Sequence, residues 1–233
     1  MTDGWARSFT VGTLCKPCHL FAEGAFASQL FKSSPIGYAM KPDKGDTMNA
    51  VLNLSLYEQL MALPDHVTGE ILNGELYAMS RPSGRHGVVE RGLNVNLGGP
   101  YDLGRGGPGG WWIIPEPEVH FIRDVEVAVP DLAGWRRERM PSIPEGHRFE
   151  IVPDWLCEIL SPSTAKKDRA IKLPLYAHYG VAHVWMVDPV AQTLEAFELR
   201  EGRWTLIATL KDDDRVAVAP FDAVEFSLAD LWA

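Results

Sequence analysis

Cysteine is scarce: three residues in 233, Cys15, Cys18 and Cys157, cannot build a disulfide framework, which fits a reducing compartment. Long hydrophobic runs are missing too. No stretch approaches the ~20 uninterrupted apolar residues of a membrane helix. The opening MTDGWARSFT has neither the basic start nor the apolar core of a secretory signal. These absences lead to the expectation of a cytoplasmic protein with no membrane partner. A basic excess is also lacking, since Lys and Arg number 22 against 31 Asp and Glu, for a net charge of -9. That balance excludes a general nucleic-acid-coating protein, which draws its affinity from phosphate contacts. A nuclease survives the test, because metal-dependent nucleases gather acids at the site and let bound cations reverse the local field. The segment from Asp131 to Tyr176 is in any case near neutral.

Hydrophobic residues make up 46% of the chain and aromatics 10%, enough to fill one domain of ordinary size with an appendage. Residues 1–47 have no sustained period of 2 or 3.6 and are broken by Gly, Pro, Ser and Lys, which reads as a disordered tail or a mis-assigned start, with Met48 as the alternative start. The domain is then expected over residues 48–233. Cys15, Cys18 and His19 in CKPCH have the spacing of a haem attachment site or half a zinc site. Haem attachment needs export, and a structural zinc needs four ligands, with no second pair close by.

Punctuation organises the rest. Ser55 and Glu58 form a capping box for a short helix that Pro64 stops. GEILNGELYAM alternates around Asn73-Gly74, a hairpin signal. His86, Val89, Leu93 and Leu97 recur at helical spacing. WWIIPEPEVHF, EVAVPD and DWLCEIL read as strands, with a polar surface insertion, GWRRERMPSIPEGHRFEIVP, between the last two. SPSTAKKDRAIKLPLYAHYG reads as a helix closed by Gly180 with a kink at Pro174. HVWMVDP, TLEAFEL and RWTLIATL, turned at Glu201-Gly202, complete the sheet. Hairpin strands followed by a strand-helix-strand unit imply an α/β fold of the α+β type, a central mixed sheet flanked by helices.

Two apolar runs each carry one carboxylate, Asp131 at the end of EVAVPD and Glu158 inside DWLCEIL. Burying an unpaired charge costs several kcal/mol, so two close together invite a metal. Asp168, Lys172 and Tyr176 follow at i, i+4 and i+8, one helix face that brings an ammonium to those acids. Oxygen ligands for a hard cation, Mg²⁺ or Mn²⁺, plus an ammonium to activate water or steady developing charge, suit phosphodiester hydrolysis. The bland alternative leaves the acids as ion-pair partners and Lys172 in solvent. If the acids repel unrelieved, removing either leaves metal-free stability unchanged or higher. Cys157 reads as a core residue rather than a nucleophile.

The stretches EILNGELYAMSRPSGRH, VPDLAG and CEILSPSTAKKDRAIKLPLYAHYGVAHVWMVDP resemble the Uma2 proteins, also called DUF820, restriction-endonuclease-like domains of the PD-(D/E)XK nuclease superfamily. The resemblance spans about residues 55–210. It implies a restriction-endonuclease-like fold and an endonuclease acting on nucleic acid, DNA first. Asp131, Glu158 and Ile159 become the metal ligands, Lys172 the catalytic lysine, and Glu70 and His86 further site residues. The usual E-x-K lysine would stand at position 160, where this chain has Leu160; as in similar sequences, the lysine has moved to the helix. Double-strand cleavage with one site per chain would favour a homodimer. The alternative is an inactive interaction domain that keeps the fold. A carrier built on Cys15, Cys18 and His19 is a third class.

Overall fold

The computed structural model describes residues 54–80 and 82–233; the expected tail, the Cys15, Cys18 and His19 motif and Met48 lie outside the described residues. Helix α1 (Leu56–Met61) starts where the sequence places it. The Ser55 hydroxyl accepts the Glu58 N–H, and the Glu58 carboxylate accepts the Ser55 N–H at 2.7 Å. Strands β1 (Val67–Leu72) and β2 (Glu75–Ser80) form the hairpin, turned by Asn73 and Gly74 with φ of 53° and 78°, the left-handed pair that a tight hairpin turn requires. Helix α2 (Gly84–Leu97), capped by Ser83, runs on into a π-helical turn, Gly98–Asp102.

The sheet region is divided more finely than the sequence suggests. WWIIPEPEVHF is two strands, β3 (Trp111–Pro115) and β4 (Glu118–Ile122), broken where Glu116 takes φ 44°. Strand β5 (Glu126–Ala128) ends before the Pro130-Asp131 pair, so Asp131 does not close a strand but precedes the next, β6 (Leu132–Arg136). The expected surface insertion therefore begins at Gly134, inside β6. Its residues Leu132 to Trp135 are buried on both faces, which removes the alternation that marks a strand. Strands β7 (Arg148–Phe149) and β8 (Trp155–Ile159) follow.

The helical segment after β8 has three parts: α3 (Ala165–Lys167), a π-helical turn (Asp168–Lys172) and α4 (Leu173–His178). Pro174 has no N–H to offer the carbonyl one turn back, and the turn just before it is the one opened to i→i+5 bonding. Strands β9 (His183–Asp188), β10 (Thr193–Arg200), β11 (Arg203–Lys211), β12 (Arg215–Val218) and β13 (Phe221–Ser227) and a 3₁₀ turn, Leu228–Leu231, complete the described chain.

Two main sheets result, a six-stranded β11-β10-β9-β8-β6-β3 and a five-stranded β2-β1-β5-β4-β7, with β12-β13 as a separate pair. β8 runs parallel to β9 and β4 to β7; the other pairs are antiparallel. The fold is mixed α+β, as expected. The period-2 pleat of β8 sorts its side chains. Trp155, Cys157 and Ile159 join the core that holds Val89, Leu93 and Leu97 of α2. Leu156 joins the core that holds Leu175 and Tyr176 of α4. Glu158 shares the parity of Leu156, so it faces the helix that carries Lys172 and Tyr176. Val129, Pro130 and Asp131 cross from β5 in one sheet to β6 in the other, and the site lies at that crossing.

Candidate active site

Register brings Asp131 to Glu158. In the antiparallel β6–β8 pair Leu132 faces Cys157, which sets Asp131, one residue earlier, beside the last residues of β8. One oxygen, Oδ2, accepts the Ile159 N–H at 2.5 Å. The other, Oδ1, lies 2.9 Å from His86 Nε2 in the first turn of α2. His86 is buried, and its Nδ1 has no hydrogen-bond partner.

Lys172 is the hub of the other half. Its Nζ is 2.7 Å from Glu158 Oε1 in one sheet, 2.8 Å from Glu70 Oε1 in the other, and donates to the Val129 carbonyl at 3.3 Å. Only 1% of Lys172 is exposed, against 2% of Glu158 and none of Glu70. Glu70 Oε1 also accepts the Val129 N–H at 2.9 Å, and its Oε2 is bonded by Lys167 Nζ. The Tyr176 hydroxyl donates to Glu158 Oε1 at 2.5 Å. The helix therefore presents Asp168, Lys172 and Tyr176 on one buried face. Lys167 and Lys172, five residues apart, both reach Glu70. On a regular α-helix they would diverge by about 140°; the π-helical turn brings them back to one side.

Titration follows from these contacts. Burial pushes the Glu158 carboxyl up to about 8, with Lys172 pulling the other way and Asp168, Asp131 and Glu70 adding to the rise. Burial likewise opposes charge on Lys172, but Glu158 and Glu70 outweigh it and hold the ammonium well above its ordinary value. For Glu70, burial is outweighed by Lys172 and Lys167, leaving the carboxyl below its usual value. Burial lowers the His86 imidazole, yet its bond to Asp131 prevails and the net shift is upward. Asp168 is raised by burial, with Lys172 opposing. Burial raises the Cys157 thiol well above its ordinary value, with Asp131 and Glu158 adding to it, so it is held as a neutral thiol.

The expectation of unrelieved repulsion between the two acids does not hold: Asp131 is partnered by His86 and Ile159, and Glu158 by Lys172 and Tyr176. Removing either acid strands buried partners instead.

A cavity of about 310 Å³ opens onto Asp131, Glu158, Ile159, His86, Asp168 and Lys172. Among the described residues no three His, Cys, Asp or Glu side chains already converge as a metal site. The donors present are nonetheless hard oxygens: the Asp131 carboxylate just before β6, the Glu158 carboxylate in β8, and the main-chain carbonyl of Ile159, whose side chain offers nothing. Such a partial set fits Mg²⁺, which keeps several waters and is bound through one or two carboxylates plus substrate phosphate.

The sequence-derived residues thus come together: Asp131, Glu158, Ile159, Lys172 and His86 line one cavity, and Glu70 stands behind it on Lys172. Glu116, Lys167 and the loop residues Ser161 and Thr164 also line it and escaped the sequence reading. Only the AKKD run hinted at Lys167, and helical periodicity points it away from Lys172.

A family model described as "Uma2: Putative restriction endonuclease" matches residues 54–229. Among solved structures, the chain is similar to a "putative nuclease belonging to DUF820" from Anabaena variabilis ATCC 29413, at 22% identity and a TM-score of 0.58, over 77% of this chain and 97% of that one. No curated protein matches. The fold agrees with that structure, and the family model's match over residues 54–229 means that this chain belongs to the Uma2 family.

Proposed function

We propose that the protein is a metal-dependent endonuclease that hydrolyses phosphodiester bonds in nucleic acid, DNA first. The observation that carries this reading is the Lys172 ammonium 2.7 Å from Glu158 in the cavity that Asp131 also lines. Asp131, Glu158 and the Ile159 carbonyl would hold Mg²⁺ or Mn²⁺, which supplies Lewis acidity and a more acidic bound water. Lys172, kept protonated by two carboxylates, acts as a fixed cation toward developing phosphate charge and not as a general base. Glu70 positions Lys172. His86 Nε2 donates to Asp131 Oδ1 and keeps that carboxylate turned toward the cavity.

The same reading takes residues 48–233 as the nuclease domain, the cytoplasm as its location, and a homodimer as its assembly. No helix among the described residues is long and apolar enough to cross a membrane.

The test is cleavage of supercoiled plasmid and of single-stranded oligonucleotide with Mg²⁺, Mn²⁺ or chelator. Wild type should cut only with metal, and folded Asp131→Asn and Glu158→Gln should not. A second reading, an interaction domain without catalysis, is favoured by the fact that both acids already have protein partners. It predicts no metal-dependent cutting by the wild type.

A further inference from the structure

Beside the acidic cavity lies a second hollow of about 510 Å³. Met79, Ser163, Thr164 and Lys167 line both, so the two adjoin. Their chemistry differs. The first collects carboxylates; the second has no acid in its lining and is bounded by Tyr77 and Ala78 of β2 and by Lys166, Lys167 and Ile171 of the helical segment. Its size falls in the range of ~300–1,000 Å³ typical of small-molecule sites.

Tyr77 is held at its edge, where the hydroxyl donates to Glu75 at 2.8 Å, and packs against the core beneath. That makes it a fixed aromatic wall. Lys166 is exposed and Lys167 is half-buried at the rim shared with the acidic cavity. An aromatic surface with an exposed lysine on the same lining, adjoining the acidic cavity, has the components of a single-strand track: a π-face for a base and a cation for its phosphate. Duplex DNA keeps its bases stacked inside and would leave such a wall without a use.

We propose that this hollow is the subsite for the nucleotide flanking the scissile phosphate, with its unstacked base against Tyr77 and its phosphate on Lys166. The substrate class is therefore single-stranded nucleic acid, or a strand locally unpaired from its complement. This rests on the nuclease reading above.

The experiment is fluorescence anisotropy of the full chain with a labelled single-stranded oligodeoxynucleotide and with a blunt duplex, in Ca²⁺, run beside the cleavage assay. Wild type should bind the single strand more tightly. Tyr77→Leu keeps apolar packing without a ring and should weaken single-strand binding by about 5- to 150-fold, with Tyr77→Phe near wild type and duplex binding unmoved. Lys166→Ala, a change at an exposed side chain, should also weaken it and flatten the log affinity against log salt plot by about 0.7. The subsite is overturned, with the nuclease reading intact, if wild type cuts nucleic acid while Tyr77→Leu and Lys166→Ala bind single strands as well as it does. It is equally overturned if duplex is the preferred ligand. If wild type neither binds nor cuts any form, both readings fall together.

Discussion

Replacing Lys172 with Met keeps much of the side-chain volume and deletes the charge that joins the two sheets. Lys172 is 1% exposed, and its ammonium serves Glu158 at 2.7 Å and Glu70 at 2.8 Å. Glu70 retains Lys167 and the Val129 N–H, whereas Glu158 retains only the Tyr176 hydroxyl. Removing one member of a buried ion pair costs about 3–5 kcal/mol, because the survivor is left uncompensated. At about 2–4 °C per kcal/mol for a domain of this size, Lys172→Met should lower the melting temperature by roughly 6–20 °C at pH 8. With its carboxyl pushed up to about 8, Glu158 is already mostly protonated well below that pH and leaves less charge uncompensated, so the loss should shrink toward pH 5. Adding Glu158→Gln should restore part of it, a coupling that a double-mutant cycle reads directly. Differential scanning calorimetry of the four proteins at pH 5 and pH 8 is the assay. A loss under about 1 kcal/mol, or additivity of the two substitutions, would refute the claim that Lys172 neutralises Glu158.

Other consequences are open to measurement. Without metal, the urea midpoint should fall between about pH 5 and pH 8. Glu158, raised from 4.5 to about 8, and His86, raised from 6.5, both hold protons in the folded state that the unfolded chain has released, so their contribution is lost as pH rises. A midpoint that climbs steadily over that window contradicts the assignment. Tyr176→Phe removes the donor to Glu158 and should cost about 1.5–3 kcal/mol of stability in chemical denaturation; a neutral effect would mean the bond carries nothing. Cys157→Ala should keep metal-dependent cleavage, and a folded variant without it would make the thiol part of the chemistry.

Local chemistry makes much of the fold legible in the sequence. The Ser55–Glu58 capping box and the Asn73-Gly74 turn were readable because each is a short-range bargain between side chain and backbone. Asp131 and Glu158 stood out as charges in apolar runs. What escaped depends on tertiary structure. β6 is buried on both faces and carries no alternation, and the split of WWIIPEPEVHF between two sheets shows only in the backbone of Glu116. The strand pair β12–β13 follows a polar Asp run and was not anticipated. Spacing found Lys172 because i+4 neighbours stay close in either helix form. It could not find Lys167, whose approach to Glu70 depends on the π-helical turn. Nor could it reveal that each acid already had a partner, since that requires knowing which face of β8 meets which helix.

The central claim is that Asp131 and Glu158 hold one divalent ion between them. Isothermal titration of Mn²⁺ into the wild type, Asp131→Asn and Glu158→Gln at pH 8 tests it most directly. The account predicts one ion per chain in the wild type, with a stabilisation of about 2.7 kcal/mol at ~100 times the dissociation constant, and loss of both in each folded variant. No binding by the wild type, or binding that survives either substitution unchanged, would contradict it.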